Sequence, residues 1–137
     1  MLWQTDLANM QGNARQNGGM RYLLTVIDVF SKYAWAMPIH LIDAKAITAS
    51  FWQVLTAANP HYLQRLQTDK VKKIFNSDFQ TLIKRHGIQH FASVSKLNAA
   101  VVKRFYRTIK TRISTYLSDR YTLRLVNVIQ DLVDAYN

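Results

Sequence analysis

The sequence predicts an α/β domain whose one sheet mixes three antiparallel strands with two parallel ones. Three observations carry that prediction. The stretch RYLLTVIDVFSKYAWAMPI, residues 21–39, holds two runs of strand-forming residues around the polar interruption 28–32, the pattern of a β-hairpin. Ahead of it, residues 2–10 alternate Trp3, Thr5 and Leu7 with Gln4, Asp6 and Ala8, which is the period of a strand. Beyond it, helical stripes and short apolar runs take turns, as crossover connections between parallel strands do.

Taken in order, the first strand carries Asp6 near its middle, and the Gly-, Asn- and Gln-rich residues 11–19 read as a loop feeding the hairpin. Both hairpin arms are too uniformly apolar to be half-exposed, so the hairpin is expected deep in the sheet. Asp43 can cap a helix over residues 44–58 with the stripe Ile47, Phe51, Val54 and Leu55, stopped by Asn59 and Pro60. Residues 63–68 form a short fourth strand ending at Asp69. Asn76 or Ser77 can cap a helix bearing Phe79, Leu82 and Ile83, with Gly87 just past its end, and residues 88–91 make a fifth strand. A long helix is expected from Asn98 to about Leu117, with Val102, Phe105, Ile109, Ile113 and Tyr116 on one side. A last helix, residues 122–136, is expected to bury Leu125, Val128, Ile129 and Leu132.

The 137 residues, 49% of them hydrophobic, suit one domain spanning residues 1–137. No apolar run has the length of a membrane span, so no membrane partner is expected, and no targeting signal is legible. The absence of cysteine excludes disulfides, thiolate zinc sites and cysteine nucleophiles. Eighteen Lys and Arg against eight acids give a formal charge of +10, which points to a polyanionic partner such as nucleic acid. All eight acids are aspartates. Asp6 and Asp69 are the two that a parallel pairing of their strands would bring side by side, although strand-end aspartates also serve as turn and cap residues. His86 and His90 straddle Gly87 and are not expected to pair on a metal. Trp3, Trp35 and Trp52 each sit in an apolar strand or helix, as core or interface residues do.

Five stretches carry a family resemblance: WQTDL at 3–7, LLTVIDVFSKYAW at 23–35, LQTDK at 66–70, HGI at 86–88 and VVKRFYRTIKTR at 101–112. They resemble the catalytic core of retroviral-type integrases, and most nearly the integrases of the large Maverick/Polinton DNA transposons and related viruses. The resemblance implies a ribonuclease H-like fold and a polynucleotidyl transferase acting on DNA. In that family two aspartates and a glutamate hold two divalent ions, Mg²⁺ or Mn²⁺, for 3′-end processing and strand transfer. Matched motif to motif, the two aspartates fall on Asp6 and Asp69, while Asp28 matches a position the family does not use for catalysis. The resemblance also implies a nuclear location, DNA partners (element ends and target), and a two-fold interface made by the first and last helices. Here those helices carry Phe51, Trp52 and Leu55, and Val126, Val133 and Tyr136, so a homodimer is expected.

The third carboxylate is where this chain departs. The family reads VVERFNR and this chain VVKRFYR, which puts Lys103 at the glutamate position. The run after Asp69 also differs, with Val71 for a glycine and Lys73 for a glutamate. No acid lies between Asp78 and Asp119 to substitute. Unit charges ~4 Å apart interact by roughly 4 kcal/mol at an effective dielectric near 20, so a cation beside a divalent ion opposes its binding. Metal binding and two-metal catalysis are therefore expected to be weak or absent. A basic surface remains. Lys103, Arg107 and Lys110 fall at i, i+4 and i+7 on the long helix, with Arg104 and Arg112 beside them, and Lys70, Lys72 and Lys73 follow Asp69. That surface is either a solvated face or a DNA contact. Two functions stay open: an integrase core weakened at its third carboxylate, or a decayed or domesticated core kept for DNA binding and dimerisation.

Overall fold

The computed structural model describes residues 2–10, 19–40, 44–58, 63–68, 77–92, 100–120 and 129–137. In chain order these contain β1 (Leu2–Asn9), β2 (Tyr22–Asp28), β3 (Ala34–Ile39), α1 (Ala44–Ala57), β4 (Arg65–Thr68), α2 (Ser77–Arg85), β5 (Gln89–Ala92), α3 (Ala100–Arg120) and α4 (Ile129–Tyr136). The strands form one sheet in the order β3-β2-β1-β4-β5. β1 pairs antiparallel with β2 and parallel with β4, so it stands where the meander meets the parallel half. The mixed five-stranded sheet is the one the sequence predicts.

Burial on both faces explains the composition of the central strands. On β2, Leu23 and Ile27 pack with Phe105, Ile109, Ile129 and Val133 on one side of the sheet. Leu24 and Val26 pack with Ile47, Phe51, Phe79 and Ile83 on the other. The continuous apolar run YLLTVI thus feeds two cores, one under α3 and α4 and one under α1 and α2. β1 behaves likewise, with Trp3, Gln4 and Thr5 all buried.

The hairpin closes through Asp28. Its Oδ1 accepts the Phe30 N–H at 2.9 Å and its backbone N–H donates to Tyr33 O at 2.9 Å. Lys32 takes the left-handed conformation, φ 66°. Gly87 does the same after α2, φ 67°, which is the cap its sequence position predicts.

Two expectations need correction. The hairpin is not uniformly deep, because β3 is an edge strand on which Trp35, Met37 and Pro38 are only half-buried. Pro38 fits there, since a residue without an N–H is tolerated where one side of the strand has no partner. The last helix is described only as Ile129–Tyr136, and Leu125, Val126 and Val128 lie outside the described residues. Within it, Ile129 is buried as expected, but Val133 is fully buried and Leu132 only partly, the reverse of the expectation for that pair. The cause is tertiary. Asn137, just past α4, takes the Ala34 N–H on Oδ1 at 2.8 Å and donates from Nδ2 to Ala34 O at 2.9 Å, which sets the rotation of α4 against β3.

Candidate nucleic-acid-binding and catalytic site

β1 and β4 run parallel with Gln4 opposite Gln67 and Thr5 opposite Thr68. The tripeptide Gln-Thr-Asp occurs twice in the sequence, at 4–6 and 67–69, and its glutamines and threonines stand beside their like on β1 and β4. Asp69 and Lys70, Lys72 and Lys73 lie outside the described residues. The pairing described ends at Thr5 and Thr68, one residue short of Asp6 and Asp69.

The two glutamines are buried, and Gln4 Nε2 donates to Gln67 Oε1 at 3.0 Å. Gln4 Oε1 accepts the backbone N–H of Val102 at 2.9 Å. The first N–H groups of a helix have no partner within it, so this amide pair satisfies one of them and ties the start of α3 to the middle of the sheet. Lys103 is the next residue along.

Asp6 stands two residues beyond Gln4 on the same face of β1 and is half-buried. One of its oxygens accepts the Leu7 N–H at 2.9 Å. Tyr106, one turn along α3 from Val102, packs on this face and donates its hydroxyl to Met10 Sδ at 3.9 Å. Its phenol is pushed up from the usual tyrosine range, first by burial and then by the negative charge of Asp6. Asp6 is thereby within electrostatic reach of α3.

α3 separates its sides cleanly. Val102, Phe105, Ile109 and Ile113 are buried, while Lys103, Arg104, Arg107 and Lys110 are exposed. Arg112 instead lies over the Tyr136 ring, 5.9 Å from its centre, and is half-buried. Among the described residues no three His, Asp or Glu side chains form a group able to hold a metal ion.

A second polar chain reaches the end of β4. His90 Nε2 is 2.9 Å from Thr68 Oγ1 and its Nδ1 is 2.7 Å from Gln80 Nε2. With the amide donating to Nδ1, the proton sits on Nε2 and goes to the threonine. Burial lowers the His90 pKa from its ordinary value, which keeps the ring neutral. His86 goes elsewhere, hydrogen-bonded to Leu82 O at 2.9 Å and packed on Trp52 at 5.1 Å between ring centres. The tryptophans divide: Trp3 is fully buried, Trp35 half-buried and Trp52 exposed.

Sequence reasoning gave no role to Gln4, Gln67 and Tyr106, and weighed His90 only as a metal partner of His86. The repeated Gln-Thr-Asp was a usable signal for the glutamines, since identical tripeptides on parallel neighbours place like side chains on one face. Tyr106 and His90 had no such signal, because their partners stand on other elements that only the fold brings close.

The profile of the integrase core domain family matches residues 1–97, and the chain belongs to that family. It is 25% identical over 123 residues to an uncharacterized transposon-derived protein of Caenorhabditis elegans, covering 90% of this chain and 43% of that one. The chain thus spans less than half the length of that relative. Among solved structures, the catalytic core domain of the HTLV-2 integrase in complex with magnesium superposes with a TM-score of 0.75 at 20% identity, covering 96% of this chain and 81% of that one. The simian T-cell lymphotropic virus intasome in complex with the B56 gamma regulatory subunit of PP2A gives 0.81 at 18% identity, over 96% of this chain and 46% of the matched chain. These likenesses establish the fold, the ribonuclease H-like fold of integrase catalytic cores.

Proposed function

We propose that this chain is the core of a DNA integrase, by descent a polynucleotidyl transferase, that grips DNA but is weakened or disabled for two-metal chemistry. The supporting observation is the exposed face of α3. Lys103, Arg104, Arg107 and Lys110 line one side of a helix whose other side is pinned to the Asp6 strand, in a chain of formal charge +10. Lys70, Lys72 and Lys73 are proposed to extend that surface.

The residues at the carboxylate positions are Asp6, Asp69 and Lys103. Carboxylate oxygens suit Mg²⁺ or Mn²⁺, and a charged ammonium is no ligand and repels a cation. The donor set does not fit a two-ion centre. In the proposed site the Lys103 ammonium serves as the counter-charge to the aspartates, which lets the site fold without metal.

Anisotropy with a fluorescent duplex, read across a salt series, tests the binding reading. Four to six phosphate contacts predict a log–log slope of about −0.9 per contact, alike for unrelated sequences. Arg107→Ala with Lys110→Ala is expected to weaken every sequence equally, and an unchanged double mutant would make this a solvated face only. A strand-transfer assay separates a weakened enzyme from a binding module derived from one. We further propose kinship with Maverick/Polinton-type integrases, a homodimer, and a nuclear site of action, as the motifs imply.

A further inference from the structure

On the side of the sheet away from α3, a pocket of about 380 Å³ opens between the β2–β3 hairpin and the end of α1. Its lining is Asp28, Ser31, Tyr33, Trp35, Ala57 and Ala58. Asp28 is only 5% exposed, a buried carboxylate in a strongly basic chain. Its Oδ1 accepts the N–H groups of Phe30 and Ser31 at 2.9 and 3.4 Å, and no cation pairs with it among the described residues. Oδ2 has no hydrogen bond there either, yet it is not sealed off: Trp3 Nε1 is the one sealed side-chain atom without a partner among the described residues. Buried carboxylates ordinarily have a counter-charge. Here the pocket is where one would enter.

The walls are aromatic. Asp28 and Tyr33 face each other across the hairpin, so their side chains share a face with Trp35. The Tyr33 and Trp35 rings lie 4.9 Å apart at 56°, and Trp35 is backed by Trp3 at 4.8 Å. Two electron-rich ring faces set at an angle beside a carboxylate attract a large, weakly hydrated cation more than a small hydrated one. We propose that this pocket binds a methylated ammonium group at the tip of a lysine side chain carried on a peptide. Asp28 supplies the opposite charge, and Tyr33 and Trp35 supply the ring faces. A peptide suits the site better than a free amine, because a second groove of about 330 Å³ continues from the same aromatics past Met37, Val54 and Gln130. It follows edge strand β3 and has room for the flanking chain.

The test is titration of the whole chain with a short peptide bearing one trimethyllysine. The same peptide with plain lysine, its neutral tert-butyl carbon analogue, and tetramethylammonium chloride run beside it, followed by the Trp35 indole resonance. The methylated peptide is expected to bind about tenfold tighter than the other two peptides, and tighter than tetramethylammonium. Asp28→Asn keeps the Oδ1 acceptor of the turn and is expected to lose most of that preference, with thermal stability as a control. Tyr33→Ala, at a residue 46% exposed, is expected to do the same without unfolding the chain. Equal binding of the carbon analogue would reduce the pocket to an apolar groove and overturn the proposal. Tetramethylammonium binding as tightly as the peptide would assign it to a free amine. If both variants turn a dimer into a monomer while the methylated peptide does not bind, the occupant is a second copy. DNA binding by α3 is measured separately, so either reading can fail alone.

Discussion

At the scale of single residues, the proposed loss of two-metal chemistry rests on Lys103. It stands one residue beyond the Val102 N–H that Gln4 holds, on the helix that packs over Asp6. Lys103→Glu is expected to create Mg²⁺ or Mn²⁺ binding, seen by calorimetry as a heat absent from the unmodified chain. Strand transfer is expected to stay low, because Val71 and Lys73 also differ from the family run. Tight metal binding and DNA cleavage by the unmodified chain would refute this account. Gln4 has a structural role. Gln4→Leu leaves the Val102 N–H and Gln67 Oε1 without partners in a buried place, a loss of about 2–4 kcal/mol read as a fall in the urea midpoint. His90 carries a pH signature. Its folded pKa is lowered by burial, so the unfolded chain takes up the proton first as pH falls. Stability is therefore full above about 6.5 and declines as pH drops through the lower folded value. His90→Gln is expected to flatten that decline in urea titrations at pH 7 and pH 5.

At the scale of elements, α3 joins core and surface in one helix. Its buried stripe was legible because Val102, Phe105, Ile109 and Ile113 follow the helical period, and the basic residues fall opposite by the same rule. The C-terminal end of α2 was legible for a different reason. Gly87 sits at φ 67° with nothing within 4 Å of where a Cβ would be, so only the backbone objects to a side chain. Gly87→Ala is expected to cost about 1–2 kcal/mol, measured by thermal melting. β3 was the element misjudged. Its apolar run looked like a buried strand, but composition alone cannot tell an edge strand walled by a helix from a central one.

At the scale of the whole molecule, the apolar surface decides how copies might associate. Of the residues expected at a two-fold interface, Phe51 and Val133 belong to the cores. Leu55 and Tyr136 are half-buried against them, and Val126 lies outside the described residues. Trp52, 46% exposed on α1, is left as the anchor that a partner would cover. A homodimer at tens of micromolar, the order of a weak interface, is the expected sedimentation result, and Trp52→Lys is expected to shift it toward monomer. A monomer in the unmodified chain at that concentration would count against the interface.

By itself the sequence determined the alternation of β1, the turn chemistry of Asp28, the helical stripes and the family motifs. Those are local patterns, with periods of two or 3.6 residues or fixed spacings, and they survive without knowledge of the fold. Only the tertiary structure decided that Gln4 bridges Gln67 to the start of α3, and that Asn137 turns Val133 inward. It also decided that a buried Asp28 shares a pocket with Tyr33 and Trp35. The first two join residues 63 to 103 positions apart, and the pocket needs α1 folded back over the hairpin. Which distant partners meet is set by the packing of helices on the sheet, and no local period in the chain encodes it.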